Sequence, residues 1–284
     1  MKLSVIILNH LPTNLLKPTL KSVSFADEIL IIQDSSSCHS DSPLRHSEHS
    51  EESRRLSAAS LRFARSFAGL RMTRPIRVFT RSLTNFAKQR NLALKKAKTD
   101  WVLFVDSDEI VPKKLAQEIK QAIKSQNYQG YLLPRQDVIL GQVLKHGETG
   151  SIKLLRLARK SAGKFSRSVH EIWNIQGRVG ELKTPLLHIK ENFTFEFLKR
   201  IGRYGPIDSS SLIAENKPFS YSRLLLNPPA KFIQNYIVRR GIQDGLLGLF
   251  HAYLMSVQSL SVRVFQWQNN HPSPSSPHPS VIPA

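Results

Sequence analysis

The segment that most constrains the fold is the apolar run from Trp101 to Val105, which reads WVLFV. Five successive apolar residues without alternation are typical of a strand that is buried on both faces of a sheet. The run leads directly into Asp106-Ser107-Asp108-Glu109. Ligands of α/β sheets bind at the carboxyl ends of strands. We therefore predict an α/β fold whose polar chemistry lies at this edge.

The N-terminal segment has the same character. Residues Lys2 to Leu8 (KLSVIIL) predict a buried strand, Thr13 to Val23 predict a helix, and Ile29 to Ile32 predict a second strand that ends at Gln33-Asp34-Ser35. A strand, a helix and a strand in this order predict two parallel strands and a ligand site at their carboxyl ends.

Further elements follow after residue 75. The pattern predicts a helix that Thr84 caps and that ends at Lys98, and a second helix that begins at Pro112 and ends at about Gln126. Short strands are predicted at Ile76–Phe79, Gly130–Pro134 and Lys153–Leu157.

Residues 38–75 are rich in Ser and Arg and differ in composition from both flanks. They resemble the translated form of short interspersed repeats of bacterial genomes, which implies an insertion in a surface loop. The alternative is an ordinary short helix with one apolar face made by Leu56, Leu61, Phe63, Phe67 and Leu70.

The last third of the chain changes character. We predict a main domain over residues 1–225, a break at Asn227-Pro228-Pro229 and an amphipathic helical extension over 226–268. The extension carries an apolar stripe, which either docks on the domain or lies on the inner leaflet of a membrane with its basic neighbours on anionic head groups. Residues 269–284 contain five prolines and predict a disordered tail.

Charge is the unusual feature of the composition. The chain has 41 Lys and Arg against 21 Asp and Glu, a net charge of +20, which favours polyanionic partners: nucleic acid, anionic lipid or phosphorylated small molecules. The single cysteine, Cys38, excludes an intramolecular disulfide and a cysteine-based zinc site. We find no run that approaches the roughly 18 apolar residues of a spanning helix, and no signal peptide. We expect a cytoplasmic protein.

Two aspartates spaced i, i+2 after a buried strand can hold a divalent cation. Asp106 and Asp108 offer the oxygen ligands that Mg²⁺ and Mn²⁺ prefer, and the cation would bridge to a diphosphate. The alternative is an acidic loop that caps the next helix. Asp34 can accept hydrogen bonds from a base or ribose, or it can close the strand as an Asx turn. The prediction of a metal fails if these carboxylates are locked into bridges with neighbouring arginines.

Several segments together resemble a family 2 glycosyltransferase of the lipopolysaccharide-core type, described as glucosyl- or heptosyl-directed. They read SVIILNH, ADEILIIQDSSS, LTNFAKQRNLALKKAKTDWVLFVDSDEIV, SIKLLRLARKSAGKFSRSVHEIW and VGELKTPLLHI. The resemblance covers about residues 2–37 and 76–255. It implies a GT-A fold, which is a Rossmann-like, mostly parallel sheet with flanking helices, and a nucleotide-diphosphate sugar donor. It also implies a divalent cation, inversion at the anomeric carbon and a glycan or lipid-linked acceptor of the cell envelope.

The resemblance also implies roles for single residues. Asp34 matches the acid that contacts the nucleotide, and Asp106 and Asp108 match the Asp-x-Asp metal motif. His170 and Glu171 match a Val-His-Glu motif, in which we expect Glu171 to be the general base and His170 to orient it or to touch phosphate. The segment that matches the helix beside the donor site consists of Lys88, Gln89, Arg90 and Asn91.

Other polar residues stay open between two roles. Arg156 either reaches the diphosphate or pairs with an acid, and Lys88 and Arg90 are basic candidates for the same leaving group. Glu171 is alternatively a structural acid paired with an arginine. Asp137 is a weaker candidate for the base, and we favour a structural role for His188.

The chain departs from the family in two places. Leu8-Asn9-His10 stands where the family has Lys-Asn-Glu, and the segment 38–75 replaces the helix that follows Asp34. One alternative function is therefore an impaired relative that binds sugar nucleotides without turnover. A nucleic-acid-binding protein is a second alternative, suggested by charge alone, although we expect no nucleic acid because no recognition motif is present. A sugar-phosphate nucleotidyltransferase ranks lower, because no glycine follows the first strand.

Overall fold

A computed structural model describes residues 1–9, 14–34, 76–81, 85–166 and 172–271 of the chain. The first half of its main sheet is parallel. It consists of β1 (Leu3–Asn9), β2 (Glu28–Asp34), β3 (Ile76–Arg81) and β4 (Trp101–Asp106), in the order β3-β2-β1-β4. The predicted α/β class is confirmed.

The second half of the sheet is largely antiparallel, and the sequence predicts only two of its strands. Its strands are β5 (Glu109–Ile110), β6 (Gly130–Ile139), β7 (Gln142–Val143), β8 (Lys153–Arg159), β11 (Val179–Glu181) and β12 (Leu186–Lys190). Beyond β4 the order continues β8-β6-β12-β5, while β7 pairs with β6 and β11 pairs with β6 in parallel. A separate antiparallel pair is formed by β9 (Gly163–Ser166) and β10 (Ile172–Ile175).

Helices pack on both sides of the parallel strands. On one face, residues of β1, β2 and β4 join α1 (Leu16–Ser22) and α3 (Lys113–Ala122) in one core, and on the other face they join α2 (Phe86–Lys96) in a second core. Successive residues of each strand alternate between the two cores, as the period of two requires. The strands are therefore buried on both faces, which confirms the interpretation of WVLFV.

The described chain divides into two compact units. Unit 1 comprises residues 1–138 and 152–189, and unit 2 comprises 139–151 and the residues from 190 onward. Unit 2 is mainly helical, with α4 (Phe193–Ala214), α5 (Tyr221–Ile233) and α6 (Gly245–Asn270). The predicted domain boundary between 225 and 226 falls inside α5.

Two details of the predicted helices are wrong. The break predicted at Asn227-Pro228-Pro229 does not occur, because α5 continues through both prolines. Pro228 is buried, and its carbonyl oxygen accepts a 2.8 Å hydrogen bond from Ser256 Oγ, so α5 is packed against α6 at the position of the prolines. The N-cap of α2 is Asn85, whose Oδ1 accepts the Lys88 N–H at 3.0 Å.

The C-terminal part also differs from the prediction. Helix α6 continues to Asn270, so residues 269 and 270 of the predicted tail are helical. The segment from 241 to 270 is long and apolar enough, by length and composition only, to cross a membrane. The segment contains no uninterrupted run of about 18 apolar residues, as expected, because small and polar residues interrupt it; its mean hydropathy over 18 residues is nevertheless high enough for it to count as a candidate span. The insertion predicted at 38–75 and the tail beyond 271 lie outside the described residues.

Glu28, at the start of β2, links three segments of unit 1. Its carboxylate accepts hydrogen bonds from Ser4 Oγ at 2.6 Å, from the Lys98 N–H at 2.9 Å and from Arg77 Nη1 at 2.6 Å. Burial raises the pKa of this carboxyl, but the three donors outweigh burial and hold it below its ordinary value.

We expect Glu28→Gln to lower the free energy of unfolding at neutral pH by about 1–3 kcal/mol, because charge-assisted hydrogen bonds are lost. Because the pKa of Glu28 is lower in the folded state, its ionised carboxylate stabilises the fold at pH values above the ordinary glutamate pKa. That stabilisation disappears as the pH falls through the folded-state pKa. The difference between variant and wild type in urea denaturation should therefore stay constant from pH 7 down to the ordinary glutamate pKa of about 4.5 and shrink below it. Glu181→Gln, on an exposed pair with Lys153, is the control and should change little. A difference that grows with acid would contradict this account.

Candidate active site

The register of the parallel strands brings Asp34 and Asp106 to one edge of the sheet. Leu8 of β1 is the partner of Ile32 in β2 and of Asp106 in β4, so all three strands end at nearly the same level. Asp34 lies two residues after Ile32, and Asp106 lies two residues after Phe104. Because side chains alternate, both aspartates follow the face that packs against α2.

The carboxylate of Asp106 is held by two arginines. Arg156 Nη2 and Nη1 lie 2.6 Å from its Oδ2 and 3.4 Å from its Oδ1, and Arg90 Nη2 lies 3.6 Å from Oδ1. Arg90 also lies over the rings of Phe104 and Phe165, at 5.2 and 5.5 Å from their centroids. Burial raises the pKa of Asp106, but the charges of Arg156 and Arg90 outweigh burial and keep the pKa well below its usual range. Asp106 is therefore ionised and committed to guanidinium groups.

Glu109 is a second carboxylate of this cluster, and it is 0% exposed. Its Oε2 accepts the Asp106 N–H at 2.9 Å, while Oε1 lies 3.7 Å from Arg156 Nη2 and 3.9 Å from Arg135 Nη1. Burial raises the pKa of Glu109, and the neighbouring Asp106 charge adds to that effect against the opposing charge of Arg156. Glu109 thus fixes the turn that carries the Asp-Ser-Asp motif.

Asp108 has a different environment. Its side chain is 40% exposed, and its Oδ2 lies 3.1 Å from His188 Nε2. The other ring nitrogen of His188 lies 2.9 Å from Asp137 Oδ1, and both of these residues are buried. Asp137 and His188 together thus fix the direction of the Asp108 carboxylate, which is the more accessible of the two aspartates in the motif.

The two aspartates therefore differ in their fitness as metal ligands. Asp106 is bonded to arginine on both oxygens, which does not favour a role as a ligand. Asp108 fits a site in which one carboxylate is joined by donor phosphates and water, the usual arrangement for Mg²⁺. The described residues contain no group of three or more His, Cys, Asp or Glu that could hold an ion without a substrate.

The residues of α2 that the sequence placed beside the donor site differ in their contacts. Asn91 exchanges two 2.8 Å hydrogen bonds with the backbone of Phe165, which is a structural role. Lys88 is exposed. Gln89 is 4% exposed, and neither atom of its amide has a partner among the described residues. A buried amide of this kind is costly unless it is satisfied, so Gln89 is a candidate for a ligand contact.

The remaining predicted residues have the following positions. Asp34 is buried at the end of β2. His170 and Glu171 lie outside the described residues. Arg156, predicted as either a phosphate contact or an acid partner, pairs with an acid. Sequence reasoning missed Glu109, Arg135 and the contact of His188 with Asp108, because these pairings depend on antiparallel strands that local sequence does not predict.

Comparison with known proteins identifies the family. The model of the family described as "Glycosyl transferase family 2" matches residues 4–175, which is more than half of the chain. The chain belongs to glycosyl transferase family 2. It is therefore a glycosyltransferase, and its mixed sheet, parallel in the half that carries Asp34 and Asp106 and flanked by helices, is the GT-A fold that the resemblance implies.

The chain is also similar to individual known proteins. The chain is 25% identical over 199 residues to the lipopolysaccharide core biosynthesis glycosyltransferase LpsC of Rhizobium meliloti (strain 1021), which covers 68% of this chain and 73% of that protein. Among solved structures it is similar to S. aureus TarS 1-349, at 17% identity and a TM-score of 0.45, over 96% of this chain and 92% of the other. The complex of TarS 1-349 with UDP-GlcNAc also has a TM-score of 0.45, at 16% identity, over 95% of this chain and 92% of the other.

We expect Arg156→Met to lower the free energy of unfolding by about 3–5 kcal/mol, because Asp106 and Glu109 lose their shared cation. Adding Glu109→Gln should restore part of that loss. Lys153→Met, which removes a cation from an exposed pair on the same strand, is the matched control and should cost less than about 1 kcal/mol. Urea denaturation measures all three. Equal effects at Arg156 and Lys153 would show that the arginine does not stabilise the buried carboxylates.

Proposed function

We propose that the chain transfers a sugar from a nucleotide-diphosphate donor bound at the carboxyl ends of β1, β2 and β4. The observation that carries the proposal is the placement of Asp34 and Asp106 on one face of the sheet, two strands apart. Strands lie about 4.8 Å from each other and rise about 3.3 Å per residue, and Asp34 lies two residues beyond the level of Asp106, so the two aspartates are roughly 12 Å apart. That span suits a ribose at one end and a diphosphate at the other.

The step that most needs stabilisation is the departure of the negatively charged nucleotide diphosphate. An acceptor hydroxyl attacks C1 of the sugar with inversion, the C1–O bond breaks, and the nucleotide diphosphate leaves with the electron pair. Mg²⁺ or Mn²⁺ beside Asp108, when bound, supplies Lewis-acid stabilisation of the phosphate oxygens. Arg90 and Arg156 hold Asp106 in place and add positive potential at the same edge. Lys88 is exposed, so its ammonium can move toward a phosphate.

The general base must take the proton of the acceptor hydroxyl. The resemblance implies Glu171 for this role, with His170 beside it. Asp137 is a poorer candidate than the sequence suggested, because it is buried and lies 2.9 Å from His188. A role for Asp137 in orienting His188 and, through it, Asp108 fits these contacts better.

The acceptor class comes from the similarity to LpsC, whose name describes lipopolysaccharide core biosynthesis. We propose a saccharide or lipid-linked saccharide acceptor of the cell envelope. The protein would act in the cytoplasm, at the inner face of the membrane where a lipid-linked acceptor is accessible. The arginines of the site pair with carboxylates and so do not form the exposed basic surface that nucleic acid binds.

The test is release of UDP from UDP-sugars by the full chain, with Mn²⁺, with Mg²⁺ and with a chelator. We expect metal-dependent release, and a loss of at least about a hundredfold in Asp108→Asn, because a contact of several kcal/mol to the leaving group is removed. Asp100→Asn is the matched control, since Asp100 is exposed at the other end of β4.

Thermal unfolding with UDP separates binding from turnover. A metal-dependent stabilisation by UDP without release from any UDP-sugar would identify the impaired relative that binds without transfer. Wild-type release by Asp108→Asn, or no response to any nucleotide, would contradict the proposed site.

A further inference from the structure

Helix α6 of unit 2 carries a continuous exposed apolar stripe. Its members are spaced by four and three residues and are 39–63% exposed: Leu246, Phe250, Tyr253, Val257, Leu260, Val264 and Trp267. The stripe spans 22 residues, or about 33 Å of helix. Soluble monomers rarely expose an apolar surface of this extent, so another surface is expected to cover it.

The opposite side of α6 is fixed to its own unit. Gly248, Ala252 and Met255 are buried, and Gln266 Nε2 donates a 2.9 Å hydrogen bond to the Lys217 carbonyl oxygen. Ser256 Oγ bonds to Pro228 of α5. The helix is therefore attached along its length and presents one side only. This arrangement suits a helix that lies in the plane of a membrane surface more than one that crosses it.

The charges around the stripe favour an anionic surface. Helix α6 has 26 residues and contains no Asp or Glu. Arg239 and Arg240 precede the short segment Gly241–Asp244 that leads into it, with Arg239 3.8 Å from Glu148, and the described residues from 190 to 271 contain ten Lys and Arg against five Asp and Glu. Basic residues near an apolar face add electrostatic attraction to anionic head groups.

A second copy of the chain fits the stripe less well. Helices that pair along a seam of this spacing usually carry complementary charges beside the seam. Here the flanking residues include one charge only, and no acid that could pair with it across a seam: Leu247, Leu249, Leu254, Ser256, Ser261, Arg263 and Gln268. Tyr253 and Trp267 within the stripe are residue types enriched at membrane interfaces, and a protein charge of +20 opposes self-association.

We propose that the stripe of α6 docks the protein on an anionic lipid bilayer, with the stripe in the interface and the basic residues at the head groups. This proposal stands independently of the transferase chemistry, which belongs to unit 1. It assigns the protein a surface for membrane binding and names the class of lipid that this surface binds.

The test is flotation of the full chain with vesicles of phosphatidylcholine alone and of phosphatidylcholine mixed with phosphatidylglycerol. We expect flotation with the mixed vesicles only, weakened by added salt. Phe250→Glu combined with Leu260→Glu should reduce binding by at least about tenfold, because charge enters the apolar contact. Leu140→Glu is the matched control: Leu140 is 87% exposed and lies outside the stripe.

Tryptophan fluorescence reports the orientation. Trp101 and Trp173 are buried, whereas Trp267 is 40% exposed, so brominated lipid should quench Trp267 and the quenching should disappear in Trp267→Phe. Circular dichroism checks that each variant is folded, and light scattering measures its mass. Equal flotation of the stripe variant and wild type would overturn the proposal. A wild-type dimer that the stripe variant dissociates, without lipid binding, would assign the stripe to a second copy instead.

Discussion

The burial of β1, β2 and β4 on both faces determines where chemistry can occur in unit 1. Residues of these strands alternate between two apolar cores, and helices cover both. A charged side chain in the middle of such a strand would lose its hydration without a partner, so polar groups are confined to the ends. The parallel direction then brings the carboxyl ends of different strands to one edge, where Asp34 and Asp106 lie on the same face.

At that edge, the two aspartates of the Asp-Ser-Asp motif have different ion-pair partners. Asp106 is bound by Arg156 and Arg90, and the buried Glu109 behind it shares the same arginine. Asp108 stays accessible and is oriented by His188. The motif is therefore asymmetric: one carboxylate is part of a rigid ion-pair cluster, and the other is available to a ligand. We assign any cation contact to Asp108 for this reason.

Sequence reasoning predicted the parallel half of the fold well, because its signals are local. WVLFV and SVIIL read as doubly buried strands, and the period of α2 and α3 was visible with errors of a few residues at the ends. The antiparallel half was largely missed. Strands such as Val179–Glu181 and Leu186–Lys190 are short, and their pairing with β6 and β5 depends on contacts distant in sequence. Prolines at 228 and 229 misled the prediction, because tertiary packing overrode their helix-breaking tendency.

The site, too, has features that local sequence predicts and features that depend on contacts distant in sequence. Asp106 and Asp108 were predicted from their position after a buried strand. Nothing in the local sequence showed that Arg156, 50 residues away in the chain, would pair with the carboxylate of Asp106. The buried amide of Gln89 could be suspected only through the family resemblance. Burial and the absence of a partner among the described residues are properties of the folded chain.

A crystal structure of the full chain with UDP and Mn²⁺ is the most direct test of the central claim. We expect a diphosphate at the edge formed by β1, β2 and β4, with the cation contacting Asp108, Asp106 still bonded to Arg156, and the ribose beside Asp34. A nucleotide bound elsewhere, or a cation held by Asp106 after its arginines have moved away, would contradict it.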